Sequence, residues 1–376
     1  MELSGLRAQY EALSPQIAAA MNRVLSEGKY IGGKQIERLE RALAHHTQST
    51  FALCCASGTD ALTLALLAWG ARAGDAVFLP SFTFAATAEA VALRGATPVF
   101  VDIDPSYCLD PCALTEAIDR VRREGWLRPA GIVAVDLFGL PADYQQIGRI
   151  AAAEGLWLLE DAAQSFGASR FGQMACSFGE IAATSFFPSK PLGCYGDGGA
   201  VFTNELHHAE TIASLRCHGC GIDKYDNRLV GINSRLDTLQ AAVLLEKLDV
   251  FPHELTRRRA LAAFYTERLS GAVITPPIPP EAQPSWAQYT IRLPSPMLRD
   301  RLRLELSANG IPSAVYYPKP LHLQGAFSYL GIKRGALPES EAAARQVLSL
   351  PMHPYLTDGE AELVCETILR FIERTA

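Results

Sequence analysis

Lys190 sits in the run Thr184-Ser185-Phe186-Phe187-Pro188-Ser189-Lys190-Pro191-Leu192-Gly193-Cys194-Tyr195-Gly196-Asp197-Gly198-Gly199. A β-prone stretch from Ile181 to Phe187 ends at Pro188 and glycines follow, so the lysine lies where a buried strand gives way to a tight, backbone-dense loop. A lysine held against packed backbone loses proton affinity and becomes a nucleophile toward an aldehyde, as Schiff-base chemistry requires. On this stretch alone, a solvated lysine beside a glycine turn is the simpler reading.

Three further stretches carry candidate chemistry. The strand Leu156 to Leu159 ends in Glu160-Asp161-Ala162-Ala163-Gln164, and an acid at the tip of a buried strand is costly unless a cation faces it. Arg170 in a plain ion pair and a bound cationic ligand satisfy Asp161 equally well. Ala56-Ser57-Gly58-Thr59-Asp60 opens an apolar helix, whose unpaired N–H groups and positive end suit a phosphate, with Gly58 admitting close approach and Thr59 and Ser185 supplying hydroxyls. A Ser/Thr cap without ligand is the commoner use of such a sequence. Pro80-Ser81-Phe82-Thr83-Phe84 follows another strand, and an aromatic there either stacks on a flat ring or packs in the core. Taken together, an imine-forming lysine, a partner for a ring cation, a phosphate cradle and a stacking aromatic describe a pyridoxal phosphate site, in which a carboxylate keeps the ring nitrogen protonated.

The elements that must position these groups alternate. Phe51 to Cys55, Ala76 to Leu79, Thr97 to Val101, Gly131 to Val135, Leu156 to Leu159 and Ile181 to Phe187 read as strands with helices between most of them. That order predicts an α/β domain with a mainly parallel sheet and ligands at the strands' carboxyl ends. Helices are expected over Pro15 to Glu27, from Ile36 to Leu43, over Glu205 to Arg216, from about Thr238 to Val250, and after Thr357. Arg257, Arg258 and Arg259 are expected on a solvated helix face. Tyr289 to Leu293, Pro296 to Ala308 and Ser313 to Tyr317 alternate strand-like and helical character. The expected organisation is a large cofactor-binding domain over 1–250 and a smaller C-terminal α+β domain over 251–376. Arg235, in the run before Gln240, can clamp a carboxylate in two-pronged fashion or pair with Asp237.

Composition narrows the classes. With 376 residues, 49% hydrophobic and 20% charged, the chain can bury a large core. A formal charge of -6 without a long basic run gives no footprint for nucleic acid. No apolar run is long enough for a membrane span and the N-terminus lacks signal-peptide order, so the expected compartment is the cytoplasm. Nine cysteines fit reduced thiols. Cys217-His218-Gly219-Cys220 lacks a second ligand pair at zinc-like spacing, so no metal is expected. Gly28 to Gln35 approaches a nucleotide phosphate loop, but Gln35 replaces the hydroxyl and a helix precedes it; a loop between two helices is simpler. No Gly-x-Gly-x-x-Gly turn supports a nicotinamide enzyme.

Glu160-Asp161-Ala162-Ala163-Gln164, Ser185 to Lys190 and Gly196-Asp197-Gly198-Gly199-Ala200 resemble the signature of DegT-type nucleotide-sugar aminotransferases, pyridoxal phosphate enzymes of fold type I. Val230 to Gln240 and Ser349 to Pro354 resemble the subgroup that aminates UDP-2-acetamido-2-deoxy-3-oxo-glucuronate for O-antigen (lipopolysaccharide) sugars. The resemblance implies that Lys190 attaches the cofactor as an imine, Asp161 binds the pyridine nitrogen, Gln164 meets the ring hydroxyl, and Gly58, Thr59 and Ser185 hold phosphate. It further implies that Phe84 stacks on the ring, that Asn233 reaches the phosphate of the partner subunit in a homodimer, and that Arg235 faces the sugar carboxylate. Tyr316-Tyr317 stands where the subgroup has His-Tyr, at the expected sugar contact. Glutamate would donate the amino group, leaving 2-oxoglutarate, to C3 of the keto sugar. A dTDP-linked 3-keto or 4-keto deoxysugar is the alternative acceptor, and a catalytically silent cofactor-binding regulator the remote one. A related dehydratase scaffold has histidine at the lysine position, which Lys190 argues against.

Overall fold

The computed structural model describes residues 1–223 and 225–375. Two helices lead in, α1 (Leu6–Glu27) and α2 (Lys34–Thr47), and the Gly28 to Gln35 run lies at their junction. Helix α1 begins nine residues before the expected Pro15. Pro15 removes one N–H from the helix, and the Ser14 hydroxyl takes up the Glu11 carbonyl at 3.4 Å.

The apolar runs pair into a 7-stranded sheet of β1 (Phe51–Cys55), β2 (Asp75–Pro80), β3 (Thr97–Val101), β4 (Arg128–Val135), β5 (Trp157–Asp161), β6 (Ile181–Ser185) and β7 (Gly199–Thr203), in the spatial order β1-β7-β6-β5-β4-β2-β3. From β6 to β3 every neighbour is parallel, whereas β7 pairs antiparallel with both β6 and β1. Strand β7 is not among the expected strands, because its opening glycines read as the tail of the loop after Lys190. The strands look continuously apolar because both faces are covered. Leu53, Val77, Leu79, Leu159, Ile181 and Val201 pack under α3 (Gly58–Ala68), α4 (Ala85–Leu93) and α7 (Leu206–Leu215). Their alternating neighbours Ala76, Phe78, Ile132 and Leu158 face α5 (Pro111–Glu124) and α6 (Tyr144–Glu154). Ala52, Cys54, Ala182 and Phe202 face α2 and α8 (Thr238–Leu269).

Helix α8 corrects the expected stop near Val250. It runs 32 residues through Pro252. Phe251 and Leu255 are buried against the sheet layer and Leu261, Tyr265 and Leu269 against the C-terminal core, so packing on both sides outweighs the missing N–H of the proline. The arginine triplet is not a solvated face either. Arg258 is buried and donates to the carbonyls of Trp286 and Met352, both at 3.1 Å, which joins α8 to the C-terminal segments.

That C-terminal core combines the end of α8 with β8 (Tyr289–Arg292), α9 (Pro296–Ala308), β9 (Val347–Leu350) and α11 (Asp358–Glu373), with α10 (Pro338–Gln346) preceding β9. Strands β8 and β9 pair antiparallel. The strand expected over Ser313 to Tyr317 is represented by a single bridge, Ala314 to Ser349. No helix among the described residues is long and apolar enough to cross a membrane.

Candidate active site

The carboxyl ends of the parallel strands open onto a cavity of about 480 Å³ lined by Gly58, Thr59, Phe84, Asp161, Gln164, Ser185, Lys190, Tyr316 and Tyr317, among others. The sequence scatters these residues over more than 250 positions; the sheet order brings their strand ends side by side.

Asp161 is the last residue of β5 and 5% exposed. Its carboxylate accepts from the Thr87 hydroxyl at 2.8 Å and the Ala163 N–H at 3.2 Å. Burial raises its pKa above the usual carboxylate value, with the two hydrogen bonds and the attraction of Lys190 opposing. The adjacent Glu160 points to the other face of the sheet, as strand alternation demands, and accepts from the N–H groups of Cys176 at 2.6 Å and Phe178 at 2.8 Å. Arg170 does not pair with Asp161. It binds Glu281 at 2.8 Å, Asp143 at 3.5 Å and the Pro141 carbonyl at 3.1 Å, which leaves Asp161 facing the cavity.

Burial lowers the pKa of Lys190, with Asp161 opposing, so the amine gives up its proton more readily than an exposed lysine. Its loop is fixed from behind. The Lys190 N–H donates to the Phe187 carbonyl at 2.8 Å and Cys194 N–H to the Phe186 carbonyl at 2.8 Å. A Cβ on Gly193 would lie 2.4 Å from the Pro188 carbonyl oxygen, so the tight loop requires glycine there. From α8, Lys247 donates to the Gly193 carbonyl at 2.7 Å and Gln240 accepts from Tyr195 N–H at 2.8 Å.

Ser57 caps α3 by accepting from Asp60 N–H at 3.1 Å. The cap and the anion cradle coexist at this helix start, because one side-chain cap leaves other N–H groups of the first turn unpaired. A Cβ on Gly58 would come 2.6 Å from the Ser185 Cβ. The helix start and the end of β6 therefore meet only because position 58 lacks a side chain. Phe84, the residue before α4, is 54% exposed and its ring centroid lies 6.0 Å from that of Tyr317, whereas Phe82 is fully buried in the core. Gln164 accepts from Phe138 N–H at 2.6 Å and donates to the Tyr317 hydroxyl at 3.2 Å. Asn233 and Arg235 stand apart from this group on the segment leading into α8, both exposed, with Asn233 bridged to Cys217. Cys217 and Cys220 keep free thiols.

Sequence reasoning missed Thr87, Asp197 and Gln288 as lining residues. Thr87 had a signal available, a hydroxyl in the first turn of a helix that follows a strand end, and Asp197 stood inside the glycine run after Lys190; Gln288 had none. The residues fit pyridoxal phosphate: a glycine-opened helix start with hydroxyls for the phosphate, a buried carboxylate for the ring cation and, in the same cavity, a lysine whose proton affinity burial lowers.

A protein of Pseudomonas aeruginosa described as UDP-2-acetamido-2-deoxy-3-oxo-D-glucuronate aminotransferase is 44% identical over 370 residues, covering 98% of this chain and 99% of its own. Among solved structures, a DegT DnrJ EryC1 StrS aminotransferase from Brucella abortus is 48% identical with a TM-score of 0.96, covering 99% of each chain. The S. venezuelae protein DesV, solved in complex with a ketimine intermediate, is 39% identical with a TM-score of 0.93, covering 98% of this chain and 97% of its own. The model of the DegT/DnrJ/EryC1/StrS aminotransferase family matches residues 11–369, and the chain belongs to that family.

Proposed function

We propose that this aminotransferase moves an amino group from glutamate to C3 of UDP-2-acetamido-2-deoxy-3-oxo-glucuronate, as a homodimer in the cytoplasm, for the assembly of O-antigen sugars. The observation that carries the reading is the convergence of Lys190, Asp161 and the Gly58–Ser185 contact on one cavity. The substrate follows the Pseudomonas aeruginosa relative, matched across nearly its whole length. Nine unpaired cysteines suit a reducing compartment. The large domain over 1–250 and the small domain over 251–376 share α8, which gives both one rigid support.

Pyridoxal phosphate supplies an aldehyde that takes up the amino group and a ring that draws electrons from the adjoining carbon. Lys190 would tether it, and the Lys190 Nζ is the group that would hold and move the proton exchanged at the reacting carbons. The carboxylate of Asp161, held by the Thr87 hydroxyl and the Ala163 N–H, would keep the ring nitrogen protonated. Gly58, Thr59 and Ser185 would hold the phosphate, Phe84 would cover the ring and Gln164 would meet its hydroxyl. Tyr316 and Tyr317 wall the sugar side. Asn233 reaches the partner subunit's phosphate site, and Arg235 faces the sugar carboxylate.

The test is a glutamate-dependent assay against UDP- and dTDP-linked 3-keto and 4-keto sugars. The UDP-linked 3-keto uronate is expected to be aminated most efficiently. A higher kcat/KM on a dTDP-linked deoxysugar overturns the substrate, and absence of amino transfer to any of them overturns the reaction.

A further inference from the structure

Ser81, His322 and Glu341 form a buried chain away from the lysine. The Ser81 oxygen lies 2.7 Å from His322 Nδ1 and accepts from the His322 backbone N–H at 3.2 Å, while His322 Nε2 lies 3.3 Å from Glu341 Oε1. The three residues are 0%, 2% and 5% exposed. Such a Ser–His–Glu order resembles a nucleophilic triad, but a hydroxyl with no exposed surface is closed to a substrate. Its chemistry is therefore internal.

The hydrogen-bond directions are determined by counting donors. The Glu341 carboxylate can only accept, so the ring proton sits on Nε2, and in the neutral ring Nδ1 is left to accept the Ser81 proton. The same carboxylate also accepts from Gly335 N–H. Burial lowers the His322 pKa despite Glu341 and Asp102, consistent with a neutral ring. The backbone repeats the link, with Leu321 N–H donating to the Ser81 carbonyl at 2.8 Å.

The place of this chain in the fold gives it a role. Ser81 directly follows β2, and the next residues are Phe82 in the core, Thr83 and Phe84 on the cavity, and Thr87 on Asp161. His322 and Glu341 belong to the C-terminal region, and Asp102 at the end of β3 grips the same region through Ser340 N–H at 2.8 Å and Glu339 N–H at 2.9 Å. We infer that Ser81, His322 and Glu341 are positioning residues. They clamp the start of the Phe82–Thr87 segment to the C-terminal region, and so hold the Phe84 ring and the Thr87 hydroxyl at the cofactor pocket. This rests on the cofactor reading above for its consequence, though not for its geometry.

The experiment compares Ser81→Ala, His322→Phe and His322→Asn with the parent. Hydrogen exchange of peptides covering residues 82–93 is followed in the cofactor-free protein, and pyridoxal phosphate is then titrated in while its absorbance is recorded. Losing one hydrogen bond of this kind changes an equilibrium by about three- to tenfold. Ser81→Ala and His322→Phe are expected to speed exchange in that segment and weaken cofactor binding by that factor. The double variant S81A/H322F is expected to be no worse than the worse single. His322→Asn keeps an acceptor near the Nδ1 position but loses the link to Glu341, and is expected to fall between the parent and His322→Phe; a loss as large as that of His322→Phe overturns the role given to the Ser81 bond. Unchanged exchange over 82–93 in Ser81→Ala overturns the inference, and so does a double variant whose losses simply add. If His322→Phe does not fold, Ser81→Ala and His322→Asn carry the test. A parent protein that binds no pyridoxal phosphate overturns the cofactor reading, while the exchange measurement still decides the clamp.

Discussion

At Lys190 burial favours the neutral amine and Asp161 favours the charged one, and burial wins. The result is a lysine that releases its proton more readily than an exposed one, as attack on an aldehyde requires. Borohydride treatment of the yellow holoenzyme is expected to fix the cofactor on Lys190, as read by peptide mass spectrometry; label on another lysine would refute the assignment. Lys190→Ala should lose amino transfer by on the order of 10³-fold while keeping its fold. Behind the site, burial pushes up the carboxyls of Asp136 and its buried neighbour Glu160 together, Asp136 to about 6, against Ser165, Ala142 and Tyr144, which donate to Asp136 at 2.6, 3.0 and 2.8 Å. The folded protein thus holds this proton more tightly than the unfolded chain. Its stabilising contribution is complete below about pH 4 and lost as pH rises through about 6. Asp136→Asn, which does not titrate, should therefore lose less of its urea midpoint between pH 4.5 and pH 7 than the parent does.

At the scale of elements, the site exists because unrelated segments approach more closely than side chains normally permit. Gly58→Ala would drive a methyl into Ser185, parting α3 from the end of β6, and phosphate affinity should fall at least tenfold in a cofactor titration with little loss of helix content. Helix α8 braces the opposite side through Lys247, whose ammonium also lies 4.3 Å from the Tyr195 ring centroid. Lys247→Met should leave the Gly193 carbonyl unpaired and lower kcat more than thermal stability, because the loop it releases carries Lys190. The parallel strands were legible in the sequence as unbroken apolar runs, and Lys190, Asp161 and Gly58 as departures from those runs. Strand β7, the continuity of α8 and the burial of Arg258 were not legible, because each is decided by a partner distant in the chain. Ser81 and His322, 241 positions apart, illustrate the same limit: a neighbouring strand end and a C-terminal turn acquire a relationship only after the sheet has formed.

For the whole molecule, the exposed Asn233 and Arg235 are informative because the cavity they were expected to serve lies elsewhere on the same chain. A second subunit can reconcile the two. Lys190→Ala and Asn233→Ala subunits, each inactive alone, should regain about a quarter of parent activity when denatured, mixed in equal amounts and refolded, since half the dimers would hold one intact site of two. No recovery would place Asn233 outside the partner's site. Arg235→Ala should slow turnover of the uronate half-reaction while sparing the glutamate half-reaction, as stopped-flow absorbance would report; equal loss in both would count against its sugar role.

The span of α8 also bears on how the polypeptide can be shortened. A chain terminated at residue 250 would stop in mid-helix, one position before the fully buried Phe251, and would strip the covering from part of the sheet. Neither fragment of such a cut would be self-sufficient: the front piece should precipitate on expression, and the rear piece should lack the scaffold on which its own core condenses.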